Sequence, residues 1–180
     1  MRIKINDRIP DFKYQSAFGK EGHFYDRPQK PFTVLCFLRF MGCRFTQYDL
    51  LQLQKHRKEF QAANAEVFAV IQSPVESVKA HFAGNPPDMA LLCDPDSRIY
   101  QAFGVFPAKS LEEMQGRYFS EKLARVEAAG LVSGKKEGQP WQLPAAFVIN
   151  AQNQAVYAYY GTEAADMPAP EKLLAAMKQK

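Results

Sequence analysis

The chain reads FTVLCFLRFMGCRFT from residue 32 to residue 46. Residues 32–38 form an apolar, β-rich run, which is the pattern of a strand buried on both faces of a sheet. From residue 45 to about residue 64 the apolar residues recur near one face at helical spacing. We therefore predict a buried strand that leads directly into a long helix.

The remainder of the chain continues this alternation of strands and helices. Further strands are predicted at 66–71, 89–93, 145–149 and 155–160, and further helices at 73–82, 97–103, 110–129 and 170–178. We expect Ser73 to cap the second helix, with Pro74 in its first turn. A tight turn at 150–153 joins the last two strands as an antiparallel hairpin. Parallel units followed by a hairpin predict the α/β class, with a mixed central sheet that has helices on both faces.

Length and composition exclude several classes of protein. The 180 residues fit a single domain, 1–180, and 47% hydrophobic residues exclude a disordered chain. The net charge of +4 is scattered along the chain, so no nucleic-acid partner is predicted. The longest apolar run, 34–40, contains Arg39 and is too short for a bilayer, so no membrane partner is predicted either.

The number of cysteines indicates whether the protein resides in a reducing or an oxidising compartment. Three cysteines, at 36, 43 and 93, are too few and odd in number for a disulfide framework. Residues 1–9 alternate charged and apolar side chains, which is not the pattern of a secretory signal. We therefore expect a reducing compartment, the cytoplasm.

Cys43 stands where the first strand ends and the long helix begins. Free N–H groups and the positive end of the helix dipole favour a thiolate at such a position. Arg39 and Arg44 add positive charge nearby, and Gly42 gives the backbone freedom to turn sharply. We predict a reactive, solvent-reachable thiol, against the alternative that Cys43 packs as a small apolar residue.

The other candidate groups support less specific predictions. Cys36 lies within the first strand and is expected to pack. Cys93 ends the third strand, so packing is expected there too, with a role as the resolving thiol of Cys43 as the alternative. The three histidines have no ligand spacing and no phosphate-binding glycine loop is present, so we predict neither a metal site nor a cofactor.

Aromatic residues late in the chain indicate two further features. Trp141 precedes Leu143 and Pro144 in a loop, where partial burial is expected and lining of a pocket is the alternative. Alternation along the last strand places Tyr157 and Tyr159 on one face. Core packing is the expected role of these tyrosines, and a homodimer contact is the alternative.

Six blocks of sequence carry a resemblance to a known family. They are IPDF at 9–12, VLCFLRFMGC at 34–43, VIQS at 70–73, LLCDPD at 91–96, YQAFGV at 100–105 and LPAAFVIN at 143–150. In this order, over nearly the whole chain, they resemble the alkyl hydroperoxide reductase / thiol-specific antioxidant family, which comprises peroxiredoxins and related redoxins. The resemblance implies a thioredoxin-like fold with Cys43 in the active-site loop and a helical insertion at about 110–138, before the last hairpin. It also implies a cis peptide at Leu143–Pro144 that faces this loop.

The active-site motif departs from the family pattern. Thioredoxin-like members carry Cys-x-x-Cys, whereas Thr46 stands here in place of the second cysteine. Peroxiredoxins carry Thr-x-x-Cys, whereas Phe40 stands three residues before Cys43. If the family's reactive cysteine aligned with Thr46, the nucleophile would be missing. The family's late arginine has no clear counterpart, so Arg39 or Arg44 would have to supply the cation.

The leading hypothesis is a thiol-dependent oxidoreductase with Cys43 as its single nucleophile. The thiolate would attack a peroxide or a disulfide, and an external thiol, from glutathione or a thioredoxin-like protein, would resolve the product. Thr46 is expected to donate a hydrogen bond to the thiolate. The substrate site is expected to include Gly42, Phe45, Trp141 and Pro144. The alternative is a catalytically degenerate module that binds an extended peptide beside Pro144.

Overall fold

A computed structural model describes residues 2–178 and contains one seven-stranded mixed sheet. The spatial order of the strands is β2-β1-β5-β4-β3-β6-β7. Their bounds are β1 Lys13–Ser16, β2 Gly22–His23, β3 Phe32–Phe37, β4 Ala65–Ile71, β5 Ala90–Cys93, β6 Ala145–Asn150 and β7 Ala155–Tyr160. Strands β3, β4 and β5 are parallel, and β6 and β7 form the predicted antiparallel hairpin. The predicted α/β class and mixed sheet are therefore confirmed.

Alternating side chains of the central strands build a core on each face of the sheet. On one face, Leu35 and Phe37 of β3 pack with Phe147 of β6 and with the helix that follows β5. On the other face, Val34 and Cys36 pack with residues of three helices. The period of two in an extended strand is the reason that neighbouring residues of β3 enter different cores.

The described part of the chain contains seven α-helices. They are α1 Arg44–Lys55, α2 Arg57–Ala62, α3 Val75–Phe82, α4 Arg98–Ala102, α5 Leu111–Met114, α6 Phe119–Ala128 and α7 Pro170–Ala176. Helices α1, α2 and α7 pack on one face and α4 on the other, so helices lie on both faces as predicted. None of the helices within residues 2–178 has the length and apolar character needed to cross a bilayer.

Two predicted helices are divided in the structure. The helix predicted at 45–64 breaks at His56, which separates α1 from α2 and whose ring Nδ1 lies 2.9 Å from the Gln52 carbonyl. The helix predicted at 110–129 is divided into α5 and α6. The Glu163 carboxylate accepts a hydrogen bond from the Tyr118 N–H at 2.7 Å, and this contact caps the start of α6. A carboxylate at a helix N-terminus satisfies a free N–H and the positive end of the helix dipole.

The N-terminal strands were not predicted from sequence. Strand β1 is only four residues long with alternating exposure, and it pairs with β5, about 75 residues later in the chain. Its partner β2 has two residues. So short a segment shows little periodicity, and pairing with distant strands decides its structure.

Candidate active site

Cys43 is the N-cap residue of α1, as the sequence predicts. Strand β3 ends at Phe37, and the next residue, Leu38, donates its N–H to the Val70 carbonyl of β4 at 3.0 Å. The chain then turns, with the Cys43 N–H bonded to the Phe40 carbonyl at 3.0 Å, and α1 begins at the following residue. The thiol therefore lies at the carboxyl edge of the sheet and at the first turn of a 12-residue helix.

The thiol is not open to solvent, which corrects the sequence prediction. Cys43 is 7% exposed and belongs to an apolar cluster with Phe40, Phe45 and Leu143. Side chains from the insertion, among them Met114 and Val126, complete this cluster. Sequence could not show this cover, because it comes from residues that are distant in the chain.

Arg39 supplies the positive charge beside the sulfur. Its Nη1 donates to Cys43 Sγ at 3.4 Å, and its Nη2 donates to the Pro140 carbonyl. The Arg39 Nε is buried and has no hydrogen-bond partner within residues 2–178. A guanidinium at this distance can donate hydrogen bonds to the sulfur and to an oxygen attached to it.

Thr46 holds the loop rather than the sulfur. Its side chain is buried, and its Oγ1 accepts a hydrogen bond from the Arg39 backbone N–H at 3.1 Å. The predicted hydrogen bond from Thr46 to Cys43 is absent from the described residues, so that expectation is wrong for this conformation. Thr46 instead connects the first turn of α1 to the residue whose guanidinium contacts the thiol.

The two residues after Cys43 face the insertion. Arg44 forms an ion pair with Glu127 of α6 at 3.5 Å, so it is not the cation beside the sulfur. Phe45 is buried and packs edge-on against Phe119 of α6, with ring centroids 5.2 Å apart. The predicted substrate contact of Phe45 is therefore replaced by core packing.

A loop that follows α6 covers the backbone just before the thiol. We call residues 131–140 the strap. The Gly134 N–H donates to the Gly42 carbonyl at 2.8 Å, and a Cβ placed on Gly42 would lie 2.1 Å from the Lys135 carbonyl oxygen. Gly42 is thus required by the close approach of the strap, a constraint different from the sharp turn that the sequence suggests.

Polar side chains on the rim of the site hold the strap, and sequence reasoning missed them. The Glu137 carboxylate accepts hydrogen bonds from Ser73 Oγ at 2.5 Å and Ser77 Oγ at 2.7 Å. Gln47 Nε2 donates to the Val132 carbonyl at 3.2 Å. Ser73 was expected to cap α3, but the N-cap is Pro74 and Ser73 Oγ also accepts from the Met41 N–H at 2.9 Å. No local pattern signals these contacts, because each joins residues at least 32 positions apart.

The Leu143–Pro144 peptide is trans, which corrects the expected cis bond. The Pro144 carbonyl accepts a hydrogen bond from the Gly161 N–H at 2.8 Å, and the proline ring lies against Gly161, after β7. Leu143, rather than Pro144, joins the apolar cluster around Cys43. Trp141 is 43% exposed, and its carbonyl accepts from the Ala108 N–H at 2.8 Å, so it stands at the surface near the start of β6.

The other two thiols are buried and unlinked to Cys43. Cys93 lies at the end of β5 in an apolar cluster with Leu38 and Met41, and burial raises its pKa to about 12. A thiol with this pKa is a poor nucleophile near neutrality, so this conformation does not favour Cys93 as the resolving cysteine. Cys36 is fully buried within β3, which agrees with the predicted packing role, and burial raises the pKa of its thiol.

A cavity of about 510 Å³ lies between α1, α6 and α7, and Cys43 does not line it. Its wall contains a buried ion pair in which Lys122 Nζ is 2.7 Å from Asp49 Oδ1. Burial raises the pKa of Asp49, and Lys122 opposes that shift. Within residues 2–178 no three His, Cys, Asp or Glu side chains come together as metal ligands.

Comparison with known proteins identifies the family. The AhpC/TSA family model matches residues 5–158. No curated protein matches the chain. Among solved structures, the peroxidoxin BcpB from Mycobacterium tuberculosis is similar over 98% of this chain and 97% of its own, with 17% identity and a TM-score of 0.66.

Two further structures show the same fold. A thiol peroxidase from Chromobacterium violaceum covers 99% of this chain and 90% of its own, with 16% identity and a TM-score of 0.64. The bacterioferritin comigratory protein of Xanthomonas campestris covers 98% and 96%, with 17% identity and a TM-score of 0.66. The family match over most of the chain, together with the thioredoxin-like sheet, establishes that this protein belongs to the AhpC/TSA family of thiol-dependent oxidoreductases.

Proposed function

We propose that the protein is a peroxidase that uses Cys43 as its single reactive thiol. The observation that carries the proposal is the pairing of Arg39 Nη1 with Cys43 Sγ at 3.4 Å, at the first turn of α1. This places a cation beside one sulfur at the N-cap position of a helix, in a family of thiol enzymes, although in the described chain the sulfur accepts no hydrogen bond from the backbone of α1. Among the similar structures, one is a thiol peroxidase by name and another is described by its alkyl peroxide reduction activity, which supports peroxide as the oxidant.

The reaction proceeds in two stages. The Cys43 thiolate attacks one oxygen of a hydroperoxide, the O–O bond breaks, and the sulfur becomes a sulfenic acid while the leaving oxygen takes a proton to give water or an alcohol. An external thiol then attacks the sulfenic sulfur, which releases water and forms a mixed disulfide. A second thiol reduces that disulfide and restores Cys43. The Nε–H of Arg39, which has no partner within residues 2–178, is available to hold the oxygen of the sulfenate.

External reduction follows from the other cysteines. Thr46 replaces the second cysteine of Cys-x-x-Cys, and Cys93 is buried with a raised pKa. We therefore propose glutathione or a thioredoxin-like protein as the reductant. The three free thiols are consistent with a reducing compartment, for which we propose the cytoplasm.

The experiment measures peroxide consumption and sulfenic acid formation on the full chain. With hydrogen peroxide or an alkyl hydroperoxide and excess reductant, the wild-type protein should turn over and should carry a dimedone adduct on Cys43. Cys43→Ser should lose both signals, whereas Cys93→Ser should retain them. Turnover that persists in Cys43→Ser contradicts the assignment. Exchange with a disulfide substrate in the absence of peroxide turnover would favour thiol–disulfide exchange as the activity of the same residue.

A binding module is the second candidate, and the burial of Cys43 favours it. A thiol that is 7% exposed and lacks the family's usual neighbours is also what a degenerate site would retain. If Cys43 neither reacts with peroxide nor exchanges with disulfides, this function replaces the first.

The hairpin of β6 and β7 contains the tyrosines considered as a homodimer contact. Tyr157 and Tyr159 do share a face, with parallel rings 6.3 Å apart, and Tyr159 donates to Asp166 at 2.5 Å. This favours the packing role over the dimer contact. Strand β7 is an edge of the described sheet, so we retain a homodimer through this edge as a proposal that sedimentation at micromolar concentration tests.

A further inference from the structure

The strap forms hydrogen bonds with two residues beside the thiol, Gly42 and Arg39. Its Gly134 N–H bonds to the carbonyl of Gly42, next to Cys43, and its Pro140 carbonyl accepts from the Arg39 guanidinium that contacts the sulfur. A strap that leaves this position therefore uncovers the loop before Cys43 and releases one of the hydrogen bonds that orient Arg39.

One side chain of the strap is anchored far more firmly than the others. The Glu137 side chain is 8% exposed, and its two oxygens accept from Ser73 and Ser77 while Lys135 Nζ lies 3.1 Å away. Burial raises the pKa of Glu137, but these hydrogen bonds outweigh burial and the net pKa is lowered. Hydrogen bonds to a carboxylate are roughly twice as strong as those between neutral groups.

The rest of the strap is held by single hydrogen bonds, such as the one from the Gln139 N–H to Gln72 Oε1 at 3.0 Å, and its side chains lie mostly in solvent. Residues 132–136 and 138–140 are exposed, and the strap contains neither helix nor strand. Immediately before the strap, Gly130 follows α6 with a φ of +68° and open space around its α-carbon, which suits a hinge. Segments with few buried apolar contacts open locally at a small fraction of the free energy of global unfolding.

We propose that the strap is a gate over Cys43 and that Glu137, held by Ser73 and Ser77, is its latch. The inference rests on the proposed function, since it assigns a regulation to the same thiol: the gate must open for a thiol reductant or any other partner with more than a few atoms to reach the sulfur. The closed gate shields the thiol from bulky reagents, and the open gate exposes it.

The test compares three variants of the full chain with the wild type. Glu137→Ala removes the latch, Ser77→Ala removes one of its donors, and Lys136→Ala is the matched control. Lys136 is an exposed strap residue that makes no hydrogen bond or ion pair within the described chain. Each protein is treated with N-ethylmaleimide under native conditions, and peptide mass spectrometry measures the labelling rate of each cysteine. Hydrogen exchange of the strap amides is measured in parallel.

In Glu137→Ala we expect the labelling of Cys43 and strap exchange to rise by about tenfold or more, because the latch comprises two charge-assisted hydrogen bonds and 1.4 kcal/mol corresponds to a factor of ten. Ser77→Ala should show a smaller rise and Lys136→Ala none. Cys36 and Cys93 report global unfolding and should stay unlabelled. Unchanged labelling of Cys43 in Glu137→Ala overturns the proposal, and so does a parallel rise at all three cysteines. Neither readout requires catalytic turnover, so a failure of the peroxidase assignment leaves this result interpretable.

Discussion

Replacement of Gly42 by alanine probes the contact between the strap and the thiol loop. The added Cβ would lie 2.1 Å from the Lys135 carbonyl oxygen and 2.8 Å from the Gly134 carbonyl carbon. Both are backbone atoms, so the strap must retreat by about 1.3 Å to change 2.1 Å into an ordinary contact of 3.4 Å. The 2.8 Å hydrogen bond from Gly134 to Gly42 is lost in that movement. Overpacking and the lost bond together should destabilise the closed strap by about 1–3 kcal/mol.

Gly134→Ala is a matched control on the opposite side of the same contact. A Cβ on Gly134 would meet the Gly42 α-carbon at 3.4 Å, which is ordinary contact, and neither glycine has a positive φ. The same substitution should therefore change the stability of the closed strap by less than about 0.5 kcal/mol.

Hydrogen exchange of the strap amides, followed by mass spectrometry, measures the difference. At about 1.4 kcal/mol per factor of ten, Gly42→Ala should accelerate exchange roughly tenfold to a hundredfold and Gly134→Ala hardly at all. Urea denaturation should show a smaller loss of global stability, because the strap moves while the sheet remains intact. Equal exchange in the two variants, or wild-type exchange in Gly42→Ala, would refute the reasoning.

Three further perturbations test the rest of the site and its support. Arg39→Met should slow the oxidation of Cys43 by peroxide about tenfold to a hundredfold, because a donor to the reacting sulfur is lost. Arg44→Met loses only a surface ion pair and should change the rate little. Stopped-flow kinetics measure both oxidation rates, and equal rates in the two variants contradict the role of Arg39. Lys122→Met should lower the free energy of unfolding by about 3–5 kcal/mol because it leaves the Asp49 carboxylate buried without its partner, and adding Asp49→Asn should restore part of the loss in urea denaturation. His56→Ala tests a pH dependence: a hydrogen bond to a backbone carbonyl one turn earlier, with a smaller contribution from a nearby glutamate, raises the pKa of His56. The protonated His56 ring should contribute about 0.5 kcal/mol to the free energy of unfolding below about pH 6.5, and this contribution should disappear as the pH rises through the raised pKa. Urea denaturation of the wild type and His56→Ala measures it, and a stability difference that grows with pH contradicts the prediction.

Much of the fold could be predicted from sequence because its signals are local. The apolar run at 32–38 matches the bounds of β3, Phe32–Phe37, to within one residue. The hairpin of β6 and β7 follows from a tight turn between two apolar segments. Periodicities of two and 3.6 residues report which face of an element is buried, and that is independent of its partner. The exceptions are segments whose structure depends on distant contacts, such as β1, which forms only through pairing with β5 and β2.

The features of the active site likewise divide into those that local sequence determines and those that depend on tertiary contacts. The sequence by itself determined that Cys43 lies between the carboxyl end of a buried strand and the start of α1, because both features depend on a short local pattern. Only the tertiary structure decided that Arg39 rather than Arg44 contacts the sulfur, that the Leu143–Pro144 peptide is trans, and that a strap anchored by Glu137 packs against Gly42, next to the thiol. These features depend on contacts between residues far apart in the chain, namely Arg39 with Pro140, Pro144 with Gly161, and Glu137 with Ser73. Such contacts are not encoded in the spacing of residue types along one segment.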